Sequence, residues 1–273
     1  MIALSTGSLY SYGIARVARL AASAGFDGLE LMVDERWDTR DAAYLAEMAR
    51  ESLPILSIHA PFRSGIPGWD EDEVGRLRRT VELAHAVGAR TVVVHPPVRY
   101  RWITLRYPPF ISLAVLTPIP QTSRYHRWMA TELEGYQARA GVTIAVENMP
   151  LHRFGPRMVN LFDMTRIRDL RHFSAITLDT THIGTWGMDL LETYEVLADR
   201  VAHVHLSNYN GRQHRLPQDG SLALGPFLAA LRRRRFEGDI VAELEPDSAG
   251  AGDDERVRDR LANTAAFCRE HFG

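Results

Sequence analysis

The sequence predicts an α/β fold in which a single (β/α)8 barrel spans residues 1–273. The prediction rests on eight short apolar runs rich in β-branched residues, on the amphipathic segments that follow them, and on the chain length. Strands that alternate with helices indicate a parallel sheet, and about 250 residues are typical of eight such units. The runs lack regular alternation of polar and apolar residues, as strands buried on both faces do. An open doubly wound sheet is the alternative, but it usually has fewer strands.

The apolar runs and the amphipathic segments can be placed along the chain. The predicted strands cover residues 2–5, 28–33, 55–59, 91–95, 142–147, 175–179, 201–205 and 239–243. The predicted helices cover residues 14–24, 41–52, 70–87, 123–140, 160–170, 190–198, 222–235 and 253–271. Gly25 and Gly88 follow two of these helices, at the position where a left-handed residue commonly ends a helix.

One connection, residues 96–122, is longer than the others and follows the fourth predicted strand. It contains six prolines, with arginine and aromatic residues between them. Because it follows a strand, we expect a long loop on the carboxyl-terminal face of the barrel, where active sites are found. Such a loop is typical of a lid or a substrate wall, and an insertion packed on the barrel rim is equally compatible with the sequence.

The composition is that of an ordinary globular protein, with 45% apolar residues and a net charge of −2. The chain contains no lysine among its 32 basic residues, which excludes a Schiff-base aldolase and a phosphate-binding P-loop. Cys268 is the single cysteine, so neither a disulfide framework nor a thiolate metal site is expected. The sequence shows neither a signal peptide nor a membrane span, and we expect a cytoplasmic protein.

Polar residues end six consecutive predicted strands, from the third to the eighth. These strand-end residues are His59, His95, Glu147, Asp179, His205 and Glu243. The carboxyl ends of the strands of a barrel surround one small area, so these side chains converge. Crowded carboxylates repel one another, and a divalent cation among them removes the conflict. Mixed imidazole and carboxylate ligands suit one or more ions of Mn, Zn, Co or Fe better than Ca.

Three short motifs are the most specific: Val-Glu-Asn at 146–148, Leu-Asp-Thr-Thr-His at 178–182 and Val-His-Leu-Ser-Asn at 204–208. In order and spacing they resemble the xylose-isomerase-like TIM barrel superfamily, over nearly the whole chain. This superfamily includes sugar and sugar-phosphate isomerases and epimerases and the type IV apurinic endonucleases. The resemblance implies a central metal ion whose ligands are Glu147, Asp179, His205 and Glu243.

The same resemblance implies roles for further residues. His182 would bind substrate or a further metal, and His59 and His95 match two histidines that bind another metal in the endonuclease branch. His214 is similar to the histidine that completes the third metal site of that branch. Arg212 stands where that branch has an aspartate, which argues against a third metal site in this chain.

Two assignments stay open in the sequence. Glu245 lies on the same strand face as Glu243, and we prefer Glu243 because it stands where the strand-eight glutamate of the family usually falls. His203 shares a strand face with His205, and we interpret it as a packing residue or as a support behind the ligands.

Together these residues predict a metal-dependent isomerase or epimerase of carbohydrate metabolism, acting on a small sugar, polyol or sugar phosphate. Glu147 and Glu243 would remove and return a proton through an enediolate. Family members that shift hydride use a lysine near the metal, and this chain has none. The alternatives are an apurinic endonuclease-like phosphodiesterase, a dehydratase or lyase that shares the first step, and a non-catalytic binding barrel. We expect a small-molecule partner rather than nucleic acid, and a homo-oligomer is compatible with the sequence.

Overall fold

The structure, a computed structural model, describes residues 1–70, 72–107, 111–119 and 123–273, and for 101–107, 111–114 and 116 it describes the backbone only. Eight parallel strands form a closed barrel in which neighbours in sequence are also neighbours in space. These strands are β1 (Ile2–Ser5), β2 (Gly28–Met32), β3 (Ile55–His59), β4 (Thr91–Val94), β5 (Thr143–Glu147), β6 (Ile176–Asp179), β7 (Val201–Leu206) and β8 (Asp239–Ala242). The prediction of a single-domain (β/α)8 barrel is confirmed, and each strand lies within one residue of its predicted limits.

The first and last strands close the barrel. Ile2 of β1 pairs in parallel with Ile240 of β8, while Ala3 pairs with Gly28 of β2 on the other side. Gly28 is required where β2 approaches the next strand, because an added Cβ would lie 2.8 Å from the Pro54 carbonyl oxygen. Closure leaves the barrel without an exposed sheet edge and directs every carboxyl end to one face.

Helices follow the strands and cover the barrel. They are α1 (Ile14–Ala24), α2 (Ala42–Glu51), α3 (Glu73–Val87), α4 (Arg124–Thr131), α5 (Leu133–Ala140), α6 (Ile167–Leu170), α7 (Thr180–Trp186), α8 (Leu190–Leu197), α9 (Leu224–Arg233), α10 (Pro246–Ala249) and α11 (Asp254–Phe272). Gly25 and Gly88 end α1 and α3 with φ of 89° and 80°, as the sequence predicts. Asp72 caps α3 by accepting a hydrogen bond from the Gly75 N–H, so this helix begins later than predicted; residue 71 lies outside the described residues.

The predicted helix 160–170 is wrong for most of its length. Only Ile167–Leu170 is helical, and Arg157–Asn160 forms an antiparallel pair with Leu151–Phe154. This hairpin satisfies the backbone through cross-strand hydrogen bonds, which helical periodicity in the sequence does not reveal.

Two smaller differences concern helix limits. The predicted helix 123–140 is divided at Glu132 into α4 and α5. The helix α7 was not predicted, and it begins directly after β6 because the Asp179 side chain accepts a hydrogen bond from the His182 N–H. Asp179 is therefore both the last residue of β6 and the N-cap of α7.

The segment 96–122, expected to be a long loop, contains an antiparallel hairpin of Tyr100–Tyr107 and Ile111–Pro118. Its base is joined to the chain after β5: the Arg99 N–H donates to the Leu161 carbonyl oxygen at 2.6 Å, and the Asp163 N–H donates to the Pro97 carbonyl oxygen at 2.8 Å. The choice between lid and rim insertion depends largely on side chains outside those described, and residues 108–110 and 120–122 lie outside the described residues altogether.

The barrel interior is polar near its carboxyl-terminal end. Glu30, Ser57, Thr177 and His203 are fully buried, although each lies within a barrel strand. Ser57, Thr177 and His203 precede by two residues the predicted site residues of their strands, so they form a layer beneath the strand ends. Among the described residues, none of the helices has the length and apolar character needed to cross a membrane.

Candidate metal centre

Four neighbouring strands bring the predicted ligands together. Glu147 and Asp179 are the last residues of β5 and β6, His205 lies in β7, and Glu243 directly follows β8. Asp179 and His205 are paired in the parallel register of β6 and β7. Each of the four residues offers one nitrogen or oxygen atom, and these four atoms lie within 4.8 Å of one another.

His205 lies at the centre of this cluster. Its Nδ1 atom is 3.1 Å from Glu147 Oε1, 3.0 Å from Glu243 Oε2 and 3.9 Å from Asp179 Oδ2. His205 and Asp179 are fully buried, whereas the Glu243 side chain is 13% exposed. The cluster therefore opens toward the barrel mouth on the side of Glu243.

Charges in the cluster are in conflict. Burial raises the pKa of Asp179 to about 7, and repulsion from Glu147 and Glu243 adds to the rise against the attraction of His214. Burial lowers the pKa of His205, but the carboxylates of Glu30, Glu243 and Glu147 outweigh it and hold this pKa well above its usual value. An imidazolium at His205 thus compensates the carboxylates around it.

An unsatisfied carboxylate oxygen indicates that these residues can bind a divalent ion. Asp179 Oδ2 is buried and accepts no hydrogen bond from the described residues, although it faces His205 and its cluster. A cation among these atoms would satisfy Asp179 and take the place of the His205 proton, since imidazole ligates metal only when neutral. Three carboxylates and one imidazole are a donor set suited to Mn, Zn, Co or Fe.

Two of the outer histidines converge on Glu147. Its Oε2 atom is 3.4 Å from His59 Nε2 and 3.1 Å from His95 Nε2. His59, His95 and Glu147 form a second set whose ligand atoms lie within 4.8 Å of one another. Phe62, half exposed, stacks on the outer side of His95 with 5.4 Å between ring centroids.

His182 and His214 form a third set with Asp179, and the ligand atoms of this set also lie within 4.8 Å of one another. The backbone of His214 has a φ of 53°, which is rare for a residue other than glycine, and its N–H donates to Thr181 Oγ1 at 3.2 Å. Arg212 is not part of this group. Its Nη2 atom is 2.8 Å from Asp247 Oδ2, and its side chain is 67% exposed. The ion pair with Asp247 holds the Arg212 side chain away from the histidines.

Glu243 and Glu245 occupy different places. Glu243 belongs to the central cluster, whereas Glu245 is exposed and begins the turn into α10. Both line a cavity of about 560 Å³ at the barrel mouth, together with Tyr10, Arg63 and His214. The cavity gives a small molecule access to the centre.

Glu30 is a residue of the site that was not predicted from the sequence. It is fully buried in β2, and its Oε1 atom is 3.0 Å from His205 Nε2, the ring nitrogen on the far side from the cluster. Its Oε2 atom accepts from His203 Nε2 at 2.8 Å, which agrees with the interpretation of His203 as a packing residue or a support behind the ligands. A single carboxylate within an apolar strand, Gly28–Met32, was the signal that could have identified it.

Residues 18–266 match the family model described as the xylose isomerase-like TIM barrel. The chain belongs to this family. A family relationship of this extent confirms the resemblance carried by the three sequence motifs.

Known proteins similar to this family member span nearly its whole length. An uncharacterised protein of Mycobacterium leprae is 27% identical over 295 residues, covering 99% of this chain and 97% of that protein. The 3-keto-D-glucoside 4-epimerase of E. coli is similar in structure, with a TM-score of 0.66, 22% identity and coverage of 97% and 98%. The D-allulose 3-epimerase of Methylomonas sp., solved with D-allulose, has a TM-score of 0.69, 17% identity and coverage of 99% and 96%. At these identities the solved structures establish the shared fold.

Proposed function

We propose that this chain is a divalent-metal-dependent isomerase or epimerase of a small sugar, polyol or sugar phosphate, acting by carboxylate-mediated proton transfer through an enediolate. The observation that carries the proposal is the cluster in which Glu147 and Glu243 approach the same His205 nitrogen at 3.1 and 3.0 Å. Epimerases among the similar solved structures, one of them in complex with D-allulose, support a small sugar as the substrate class.

The four residues of the centre would hold the ion: Glu147, Asp179, His205 and Glu243. When bound there, a divalent ion supplies Lewis acidity toward a carbonyl oxygen and the neighbouring hydroxyl of the substrate. Glu147 and Glu243 would then both lie beside the bound substrate. One carboxylate would remove the proton from the carbon next to the carbonyl, and the other, after taking up a proton from solvent, would return it to the opposite face.

The two glutamates exchange protonation states during one turnover. The carboxylate that removes the proton ends the reaction protonated, and the carboxyl that returned one ends it ionised. Exchange with solvent restores the starting state, and Glu243 is the member of the pair with solvent access, at 13% exposure. An isomerase that returns the proton to the neighbouring carbon needs only one of the two.

The cavity at the mouth agrees with a small substrate. Its volume of about 560 Å³ falls within the roughly 300–1,000 Å³ typical of small-molecule sites. Tyr10 and Phe62 line it as exposed aromatic residues, and such faces pack against the apolar side of a sugar ring. A dehydratase or lyase would begin with the same proton removal and would use the same cavity.

An endonuclease-like phosphodiesterase is the second candidate, and one observation favours it. The approach of His59 and His95 to the second oxygen of Glu147 would suit a second metal ion. Arg212, which pairs with Asp247 instead of facing His214, weakens the third site of that branch. Carboxylates also line the mouth, which disfavours a polyanionic substrate.

The direct test measures whether solvent deuterium is incorporated into the product. Protein loaded with Mn²⁺ or Co²⁺ is incubated in D₂O with D-allulose, D-tagatose, D-fructose and L-ribulose, and products are analysed by NMR and mass spectrometry. We expect one solvent deuterium in the product, and a loss of turnover of about 10²–10⁴-fold in Glu147→Gln. Cleavage of abasic duplex DNA without reaction of any sugar would replace the proposal by the second candidate.

A further inference from the structure

A fully buried group of three residues lies directly beneath the candidate metal centre: Glu30 of β2, Ser57 of β3 and His203 of β7. Ser57 is paired with Glu30 in the register of β2 and β3. The Ser57 hydroxyl donates to Glu30 Oε2 at 2.8 Å, and His203 Nε2 donates to the same oxygen at 2.8 Å. Two donors therefore hold Oε2 in place, and the other oxygen, Oε1, remains for another partner.

That remaining oxygen faces His205. Glu30 Oε1 and His205 Nε2 are 3.0 Å apart, yet the two atoms are off the line of a hydrogen bond in this structure and neither has another hydrogen-bond partner among the described residues. Both residues are fully buried, and a separation of 3.0 Å leaves no room for a water molecule between the two atoms. The two atoms are left to satisfy each other.

The tautomer of His205 connects this contact to the centre. Nδ1 is the ring nitrogen that faces Glu147, Asp179 and Glu243, so it is the atom available as a ligand. A neutral imidazole that ligates through Nδ1 carries its proton on Nε2. That proton lies on the side of the ring where Glu30 Oε1 is 3.0 Å from Nε2, and Oε1 is its nearest carboxylate acceptor.

We propose that Glu30, held by Ser57 and His203, is a positioning residue that selects the Nε2–H tautomer of His205 and orients the ring for metal binding. The proposal rests on the proposed metal-dependent function and adds to it the residue that prepares the imidazole ligand. Carboxylates behind a ligating histidine commonly act in this way, and they raise the affinity of the site.

Glu30→Gln tests the proposal. The amide has the shape of the carboxylate but replaces one acceptor oxygen by a donor, so at least one of the two imidazole N–H groups that face Glu30 meets another donor. The matched control is Asp239→Asn, a second buried carboxylate at the opposite end of the barrel, where it contacts Arg90 at 3.2 Å. Both changes remove one buried negative charge, but only the first faces His205.

The readouts are the dissociation constant of Co²⁺, measured by competition with a chelator, and the NMR signal of the His205 Nε2 proton in the Co²⁺ protein. We expect Glu30→Gln to weaken Co²⁺ binding about 10–100-fold and to speed solvent exchange of this proton. We expect Asp239→Asn to leave the affinity within about twofold of the wild type. Its backbone pairs with His203, but its carboxylate contacts Arg90 and the N-terminal amine rather than Glu30 or His205. Ser57→Ala, which removes one of the two donors that hold the carboxylate, should weaken binding by a smaller factor.

Equal Co²⁺ affinity and equal proton exchange in Glu30→Gln and wild type would overturn the positioning role while leaving the proposed function intact. An equal loss in Asp239→Asn would also overturn it, since destabilisation alone would then explain the effect. If Glu30→Gln does not fold, Ser57→Ala decides, and wild-type affinity in that variant overturns the proposal. A wild-type protein that binds no Co²⁺ would instead contradict the metal-dependent function itself.

Discussion

His205 has an unusual position, because all three carboxylates of the cluster lie within 3.9 Å of one of its nitrogens. A fourth carboxylate, Glu30, lies 3.0 Å from the other nitrogen. Such a concentration of negative charge in a buried site is stable only with compensating positive charge. Protonated His205 can provide it, and a divalent ion provides more of it.

Glu243 and Glu245 allow a matched comparison within one strand end. Glu243→Gln should weaken Mn²⁺ binding and lower turnover by about a hundredfold or more, because it removes a ligand that is also one of the proton-transfer groups. Glu245→Gln should change both by less than about threefold, since its side chain is exposed and outside the cluster. Calorimetric titration and steady-state kinetics measure the two effects. A larger loss in Glu245→Gln would show that the wrong glutamate has been assigned.

Cys268 should be chemically inert in the folded protein. It is fully buried in α11, and burial raises the pKa of its thiol to about 12, so the reactive thiolate is scarce at pH 8. We expect no reaction with an aromatic disulfide reagent under native conditions and one equivalent of reaction after unfolding in denaturant. Rapid reaction of the native protein would mean that α11 leaves the barrel readily.

Strand ends identified six candidate residues from sequence, because the last residue of a buried strand in a barrel points to a known face, and the family resemblance selected the four central ones among them. The structure assembles these residues, and their role as ligands stays a prediction. Glu30 was missed because it lies mid-strand, where its partner His203 is 173 positions away in sequence. The direction of the Arg212 side chain was also beyond sequence reasoning, since it depends on Asp247, 35 residues later.

The short helix α7 depends on a residue of the centre. Asp179 uses Oδ1 to accept from the His182 N–H at 2.9 Å, while its other oxygen faces His205. The Asp179 side chain therefore caps α7 and also forms part of the candidate metal site.

Two substitutions at Asp179 should separate these roles. Asp179→Asn keeps an oxygen for the cap and removes a repelled charge, so metal binding should be lost while the free energy of unfolding without metal is unchanged or increased. Asp179→Ala removes the cap as well and should lower that free energy by about 1 kcal/mol. Urea unfolding in the presence of a chelator, together with Mn²⁺ titration, measures both. Equal destabilisation by the two variants would contradict the capping role.

Helices and strands differed in how well sequence predicted them. The eight barrel strands followed from apolar runs, because burial on both faces leaves a pattern that needs no knowledge of partners. The two hairpins did not. Leu151–Phe154 and Arg157–Asn160 have only four residues each and leave little local signal, whereas Tyr100–Tyr107 and Ile111–Pro118 lie in a proline-rich connection that is typical of a loop. Both hairpins follow barrel strands on the carboxyl-terminal side, and their bases join through the Val98 and Phe162 bridge.

Barrel closure explains why residues far apart in sequence share one site. The pairing of β1 with β8 places the end of β8 beside the first strand, and Leu244 N–H donates to Ser8 Oγ across 236 residues. The carboxyl ends of β5 to β8 therefore place their charged side chains in a single area of the barrel mouth. A divalent cation bound in this area would consequently stabilise the whole fold.

Metal should therefore raise the thermal stability of the whole protein. At a free Mn²⁺ concentration about 100 times its dissociation constant, the free energy of unfolding increases by about 2.7 kcal/mol. For a chain of this length the midpoint of thermal unfolding rises by about 5 °C, and a chelator reverses the rise. Calorimetry measures the shift, and Asp179→Asn is the control that should show none. An equal rise in that variant would place the ion elsewhere.

The central claim is that Glu147, Asp179, His205 and Glu243 bind one divalent ion. Anomalous diffraction from crystals of the Mn²⁺-loaded protein tests it most directly. We predict a principal anomalous peak about 2.0–2.2 Å from one atom of each residue, with His205 ligating through Nδ1. A principal peak bound by His59 and His95 without these four residues, or no peak at the barrel mouth, would contradict the claim.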